Sequence, residues 1–204
     1  MNDSNDTQNV GQASSVFSSG SAGRLPSARW CPSPNFNQRP ANSVISLIVV
    51  HNISLPPGRY GGPHVERFFC NCMDPGDDDY LQSIASMQVS AHVFIRRDGE
   101  VVQFVDFGDR AWHAGRSSFA GADECNDYGI GIELEGTDHE PYETVQYERL
   151  VQVCSWLMAQ WPEISPDRIT GHSDIAPGRK SDPGPAFDWA RFRQMLAGNR
   201  GSQG

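Results

Sequence analysis

Gly171-His172-Ser173-Asp174 and the following Gly178-Arg179-Lys180-Ser181-Asp182-Pro183-Gly184-Pro185 gather a histidine, two aspartates and a lysine among glycines and prolines. Such a stretch is a loop, and loops on a rigid scaffold are where sites tend to be placed. His172 and Asp182 are too far apart for one helical face but suit the two ends of a single loop. His51 can supply a third ligand. Two histidines and one carboxylate leave a tetrahedral zinc with one open position for water, a ligand set that fits catalysis better than a structural role. Spacing alone leaves a second reading open, because no H-E-x-x-H motif is present. In that reading His51 is a strand-end histidine with a satisfied hydrogen bond, and Asp182 is a turn former before Pro183.

Glu133 and Lys180 carry the same ambiguity. Glu133 sits in the short apolar run GIGIELEG (129–136). A carboxylate there either faces solvent or is held beside something positive. Next to a metal-activated water it can act as general base and then as acid to a departing amine. Lys180 can stabilise an oxyanion formed at an amide carbonyl, or be simply solvated.

These residues need elements to position them. Val44-Ile45-Ser46-Leu47-Ile48-Val49-Val50 reads as a buried strand that delivers His51 at its C-terminal end. NISLPPGRYGGP reads as a loop, and residues 63–71 as a short helix. VSAHVFIRR and EVVQFVDF flank Asp98-Gly99, which predicts a hairpin with a type I′ turn. In GIGIELEG, Ile130, Ile132 and Leu134 fall on one face, and Gly131, Glu133 and Glu135 on the other. Tyr147, Leu150, Val151, Cys154, Leu157, Met158 and Trp161 recur at helical spacing and predict a helix over 142–160, with Pro141 near its start. A last helix is expected from Pro185 to Leu196. The interleaving predicts a single α/β domain, a mixed central β-sheet flanked by helices.

Composition narrows the partners. The chain has 204 residues, enough for one domain with a full core. With 25 acidic against 16 basic residues and a net charge of -9, it is a poor match for nucleic acid or an anionic membrane. No run approaches the roughly 20 apolar residues that span a bilayer. The N-terminus lacks the charge and apolar core of a secretory signal, so a cytoplasmic location is expected. The five cysteines (Cys31, Cys70, Cys72, Cys125, Cys154) form no C-x2-C pair and read as reduced, structural or incidental thiols. Residues 1–24, rich in Ser, Asn, Gly, Asp and Gln, are expected to be disordered, and residues 198–204 to form a flexible tail. The domain then spans 27–197.

Taken together, VVHNISLPPG, YGGP, VSAHVFIRRDGE, RAWHAG, CNDYGIGIELEGTD and TGHSDIAPGRKSDPGPAFDW resemble the AmpD family of 1,6-anhydro-N-acetylmuramyl-L-alanine amidases, over roughly residues 30 to 193. The resemblance implies the zinc amidase fold, with zinc held by His51, His172 and Asp182. It implies Glu133 as general acid/base and Lys180 as oxyanion stabiliser. Asn52, Trp112, His113, Ala114 and Arg179 are then expected along the substrate cleft, although His113 can also be a buried structural histidine. His92 reads as structural. The implied reaction cuts between (anhydro-)N-acetylmuramic acid and L-alanine of a small muropeptide, in cytoplasmic wall recycling, by a monomer. That role also restrains β-lactamase induction where the circuit exists. A non-catalytic peptidoglycan-fragment binding module on the same fold is the rival reading. Gln88 and Glu124 stand where close relatives have arginines that meet the carboxylate end of the stem peptide, so the preferred peptide is left open.

Overall fold

A computed structural model describes residues 23–76 and 78–201. The strands are β1 (Arg29–Trp30), β2 (Phe36–Gln38), β3 (Leu47–Ile53), β4 (Val93–Ile95), β5 (Val101–Gln103), β6 (Asp109–Ala111), β7 (Ser118–Phe119), β8 (Ala122–Asp123), β9 (Gly129–Glu135) and β10 (Ile169–Gly171). The helices are α1 (His64–Phe69), α2 (Asp79–Ile84), α3 (Thr144–Gln160), α4 (His172–Ile175) and α5 (Trp189–Gly201). One six-stranded sheet runs β1-β5-β4-β9-β3-β10. Its neighbours are parallel except β4 and β5, so the mixed sheet expected from the sequence is present.

The three strands β9, β3 and β10 are short, apolar and buried, as strands covered on both faces must be. Ile48, Val50, Ile130, Ile132 and Leu134 face α3, packing with Leu150, Cys154 and Leu157. The other face of β3 packs Leu47 and Val49 against Ala114, Cys125 and Ile175. The alternation in 129–135 therefore assigns faces correctly, but its polar face is not open to water. All seven residues of β9 are buried, which removes the solvent-facing reading of Glu133.

Helix α3 is anchored by one side chain. Gln146 is fully buried. Its Oε1 accepts from the Glu143 N–H at 3.0 Å, and its Nε2 donates to the carbonyls of Glu135 (3.0 Å) and Ile95 (3.3 Å). The amide thus ties the start of α3 to the ends of β9 and β4.

Several boundaries differ from the sequence expectation. The strand expected at 44–50 runs Leu47–Ile53, so His51 lies inside it, because pairing with β9 continues to Ile53–Glu135. The Asp98-Gly99 turn is not type I′. The Arg96 N–H donates to Glu100 O and the Gly99 N–H to Arg96 O, and only Gly99 takes a positive φ (88°). This is a three-residue connection closed by a left-handed glycine. Helix α2 was not foreseen; it is one short segment capped by Asp78, whose side chain accepts from the Leu81 N–H, with Leu81 its buried residue. Helix α5 starts at Trp189 rather than Pro185 and runs to Gly201 rather than Leu196. The tail expected from 198 is therefore helical to 201, and Asn199 donates to Ser155 Oγ of α3 at 2.8 Å. Most of the 1–24 extension lies outside the described residues. Gly23 is described, its carbonyl accepting from the Phe107 N–H and Gln103 Nε2. The five cysteines are free. Among the described residues no helix is long and apolar enough to cross a membrane.

Replacing Gln146 with leucine would keep the volume but leave those backbone groups without their partner. We expect a loss of about 1–3 kcal/mol, read as a lower urea midpoint with an unchanged slope.

Candidate metal centre and catalytic cleft

Parallel pairing sets the first two functional side chains. His51 on β3 and Glu133 on β9 are register partners, so they leave the sheet side by side on one face. Gly171, the last residue of β10, pairs with Val50, which places His172 level with His51 on the next strand. Three adjacent parallel strands thus present Glu133, His51 and His172 in a row near their C-terminal ends, where open α/β sheets place their ligands. The loop beyond α4 then folds back. Asp182 O accepts from the Ser173 N–H at 2.9 Å, and Tyr142 Oη donates to Pro183 O at 2.8 Å. Gly184 lies so close to Asp138 that a Cβ would come within 2.2 Å of its backbone.

This folding brings three donor atoms to one point. His51 Nδ1 is 3.0 Å from His172 Nδ1 and 3.0 Å from Asp182 Oδ2, and His172 Nδ1 is 3.1 Å from the same oxygen. Zinc bonds of about 2.0–2.1 Å place neighbouring donors of a tetrahedron about 3.3 Å apart, within a few tenths of an ångström of this triangle. Among the described residues, these three form the group of ionisable side chains able to hold a metal. The second aspartate of the motif is otherwise engaged: Asp174 accepts from Thr170 Oγ1 and the Gly171 N–H.

The opposite ring nitrogens are also held. His51 Nε2 lies 3.0 Å from His113 Nδ1, and His172 Nε2 lies 3.0 Å from Ala114 O. A carbonyl can only accept, so His172 carries a proton on Nε2; in its neutral form, the one that binds a metal, the Nδ1 lone pair turns inward. Burial pushes the His51 imidazole down to about 4, against the hydrogen bond to Asp182 that favours its charged form. Burial also works against the Asp182 carboxylate, but hydrogen bonds with His172 and His51 outweigh it and hold the group well below its ordinary range. A neutral His51 imidazole and an ionised carboxylate are protonation states a metal requires.

Glu133 is buried with Oε2 lacking any hydrogen-bond partner. Burial, followed by the Asp182 carboxylate, raises its pKa well above the ordinary range, and the Lys180 ammonium opposes the rise. All of these groups open onto a cleft of about 620 Å³ lined also by Asn52, Tyr80, Met87, Trp112 and Arg179. A second depression of about 560 Å³ lies between Leu25 and α3, but no histidine, cysteine or carboxylate lines it. Chemistry, rather than size, selects the site.

The sequence profile of the N-acetylmuramoyl-L-alanine amidase family matches residues 40–185. The chain belongs to this amidase family. The 1,6-anhydro-N-acetylmuramyl-L-alanine amidase AmpD of Enterobacter cloacae is 55% identical over 174 residues, covering 85% of this chain and 92% of that protein. A crystal structure of a selenomethionine derivative of AmpD superposes with a TM-score of 0.83 at 52% identity, over 86% of this chain and 97% of the other. The Escherichia coli amidase AmiD, solved with anhydro-N-acetylmuramic acid-L-Ala-D-γ-Glu-L-Lys, gives a TM-score of 0.55 at 28% identity, over 78% and 60%.

The residues expected along the cleft of this amidase divide into two groups. Trp112 and Asn52 do line it. Trp112 Nε1 donates to Asn37 Oδ1 at 2.7 Å, and Asn52 Nδ2 donates to Asp138 Oδ1 at 2.8 Å, so both side chains are oriented before any ligand arrives. Ala114 does not reach the cleft: it is fully buried against Leu47, Val49 and Ile175. Its carbonyl, not its side chain, meets His172 Nε2. His113 is half-buried and lines the cleft as well, its ring lying on Gly131, where a Cβ would approach within 2.4 Å. Arg179 reaches the rim, but its Nη2 donates to Ala114 O (2.6 Å) and Arg116 O (2.7 Å). Gln88 is exposed between the cleft residues Met87 and Val89. Glu124 lies in an adjoining depression with Arg116 and Arg179, its carboxylate 3.5 Å from Arg110. Asn126, Asp138 and Tyr142 were not foreseen; each acts on a partner distant in sequence and carries no local motif.

His92 is likewise buried and structural. Its Nδ1 accepts from the Gly131 N–H at 3.0 Å, and its Nε2 faces Asp109 O at 3.2 Å. Burial first, then the Arg39 guanidinium, lowers its pKa from 6.5 to about 3. The unfolded chain therefore binds a proton there that the folded one refuses. The metal-free amidase should lose stability progressively as the pH falls from about 6.5 towards about 3. Urea midpoints at a series of pH values would show it, with a flatter dependence in a His92→Gln variant.

Proposed function

We propose that the chain hydrolyses the amide bond between 1,6-anhydro-N-acetylmuramic acid and L-alanine of cell-wall peptides, as a zinc enzyme of cytoplasmic wall recycling. The observation that carries this reading is the convergence of His51, His172 and Asp182 beside a buried carboxylate with a free oxygen, in a chain 55% identical to an AmpD amidase.

His51 Nδ1, His172 Nδ1 and Asp182 Oδ2 would hold the zinc. When bound, zinc polarises a carbonyl and lowers the pKa of water towards neutrality. Glu133 does the proton work. Its pKa, raised by burial, suits a group that takes a proton from attacking water and returns it to the alanine nitrogen. The Lys180 ammonium lines the same cleft and stabilises negative charge growing on the lactyl carbonyl oxygen. Trp112 offers an aromatic face to the sugar, and Asn52 a polar edge to sugar or peptide. No serine or cysteine nucleophile is required, so no covalent intermediate forms. The alternative of a binding module without catalysis has less support, since all three donors and Glu133 are present.

Incubation with 1,6-anhydro-N-acetylmuramyl tripeptide should release free tripeptide, detected by mass spectrometry. Release should stop on chelation and return with zinc. A Glu133→Gln protein should keep its zinc and lose about 100- to 10,000-fold in kcat. Normal turnover in that variant would remove Glu133 from the mechanism.

A further inference from the structure

The two acceptors that orient the imidazoles, His113 Nδ1 and Ala114 O, belong to consecutive residues. Both of their backbone N–H groups converge on one atom. Asn126 Oδ1 accepts from the His113 N–H at 3.1 Å and from the Ala114 N–H at 2.8 Å. Asn126 is itself buried, in the tight turn Cys125–Asp127 that leads directly into β9. That turn is fixed from outside by Arg39, whose Nη1 donates to the carbonyls of Asn126 and Asp127 at 3.0 Å each.

We infer that Asn126 is a positioning residue of the metal centre: its side-chain oxygen clamps the 113–114 dipeptide so that His113 Nδ1 and Ala114 O hold the His51 and His172 rings with Nδ1 turned inward. The inference rests on the metal reading of the His51–His172–Asp182 cluster. It also gives His113 and Ala114 a role in supporting the ligands from behind, with His113 lining the cleft as well.

The hydrogen-bond directions follow from the chemistry. A ligand nitrogen must present a lone pair, so with Nδ1 of His51 as donor to the metal its proton sits on Nε2. His113 Nδ1 must then accept, which leaves the His113 proton on Nε2, a buried atom with no partner. The ring reaches this position only because residue 131 is glycine. Outer contacts of this kind set the tautomer and orientation of ligand histidines, and losing one typically costs about 10- to 100-fold in metal affinity. Here one amide oxygen governs both histidines together.

The test uses full-length protein stripped of metal. Zinc affinity is measured by competition with a chromogenic chelator, and site geometry by the absorption spectrum of the cobalt(II) form. Asn126→Ala should weaken zinc binding roughly 10- to 100-fold and change the cobalt spectrum. Asn126→Asp, which keeps an acceptor oxygen at the same place, should restore both. A second pair bypasses any folding defect of the alanine variant. His113→Phe keeps the ring over Gly131 but removes the acceptor and should weaken zinc to a similar degree; His113→Asn retains an acceptor near the Nδ1 position and should bind more tightly than His113→Phe. Wild-type affinity and spectrum in Asn126→Ala or His113→Phe would overturn the inference, as would equal weakening in the alanine and aspartate variants at 126. Failure of the wild-type protein itself to bind zinc would instead remove the metal reading on which it rests.

Discussion

Three electron-rich atoms facing one another at about 3 Å are the constraint around which this structure is arranged. Protein interiors do not gather lone pairs without a cation or a proton to reconcile them. With protons on Nε2, facing Ala114 O and His113, and Asp182 ionised, the inner triangle would offer acceptors alone. A divalent cation would turn that repulsion into attraction. The sheet supplies two corners of the triangle from neighbouring strands, and the Asp182 loop supplies the third. The supports that hold the loop, from Ser173 to Tyr142 and the close pass of Gly184 over Asp138, follow from the need to keep that third corner in place.

The sequence made the elements legible more readily than their convergence. Alternation in 129–135 and the apolar run before His51 reported strands and their faces, because periodicity of two is a local property that burial enforces. The helical spacing around Leu150 and Cys154 did the same for α3. What periodicity cannot carry is contact across the chain: His51 and Asp182 are separated by 131 positions, and residue types alone left their joining as one of two readings until the family resemblance favoured it. The turn at Gly99 and the start of α5 were misplaced for a related reason. Asp-Gly fits both a two-residue and a three-residue connection, and strand register chooses between them. Residues 185–188 follow the Asp182 loop back over Asp138, with the Ala186 N–H bonded to Asp138 O, before the chain can turn helical.

His113 and Ala114 show how a sequence motif can be recognised and its geometry still be missed. An aromatic followed by histidine, alanine and glycine reads as a cleft wall, and Trp112 is one. Behind it Asn126 takes both N–H groups of the next two residues, Ala114 is buried, and Gly131 leaves space for the His113 imidazole in the cleft lining. Neither partner is near in sequence. The small residues at 131 and 114 are therefore required by the approach of other groups rather than by any turn of their own.

Glu133 and Glu135 make the last point, since they are the same residue type two positions apart on one strand. Both are buried. Glu135 accepts from the Gly61 N–H at 2.6 Å and the Arg97 N–H at 3.0 Å, and so ties the loop after β3 and the turn after β4 to the sheet. Its oxygens are committed, which suits a carboxylate that holds structure. Glu133 has no such partner at Oε2, and a buried carboxylate without one is costly. A permanent donor there would lower that cost, but it would also fix the group as a carboxylate and block the oxygen from exchanging a proton. An unpaired, desolvated carboxyl beside one cation and one anion suits the proton transfer proposed for Glu133, whereas the oxygens of Glu135 are held by backbone N–H groups. The contrast between the two explains why the fold tolerates an unsatisfied oxygen at this position while Gln146, also fully buried, has its amide fully engaged.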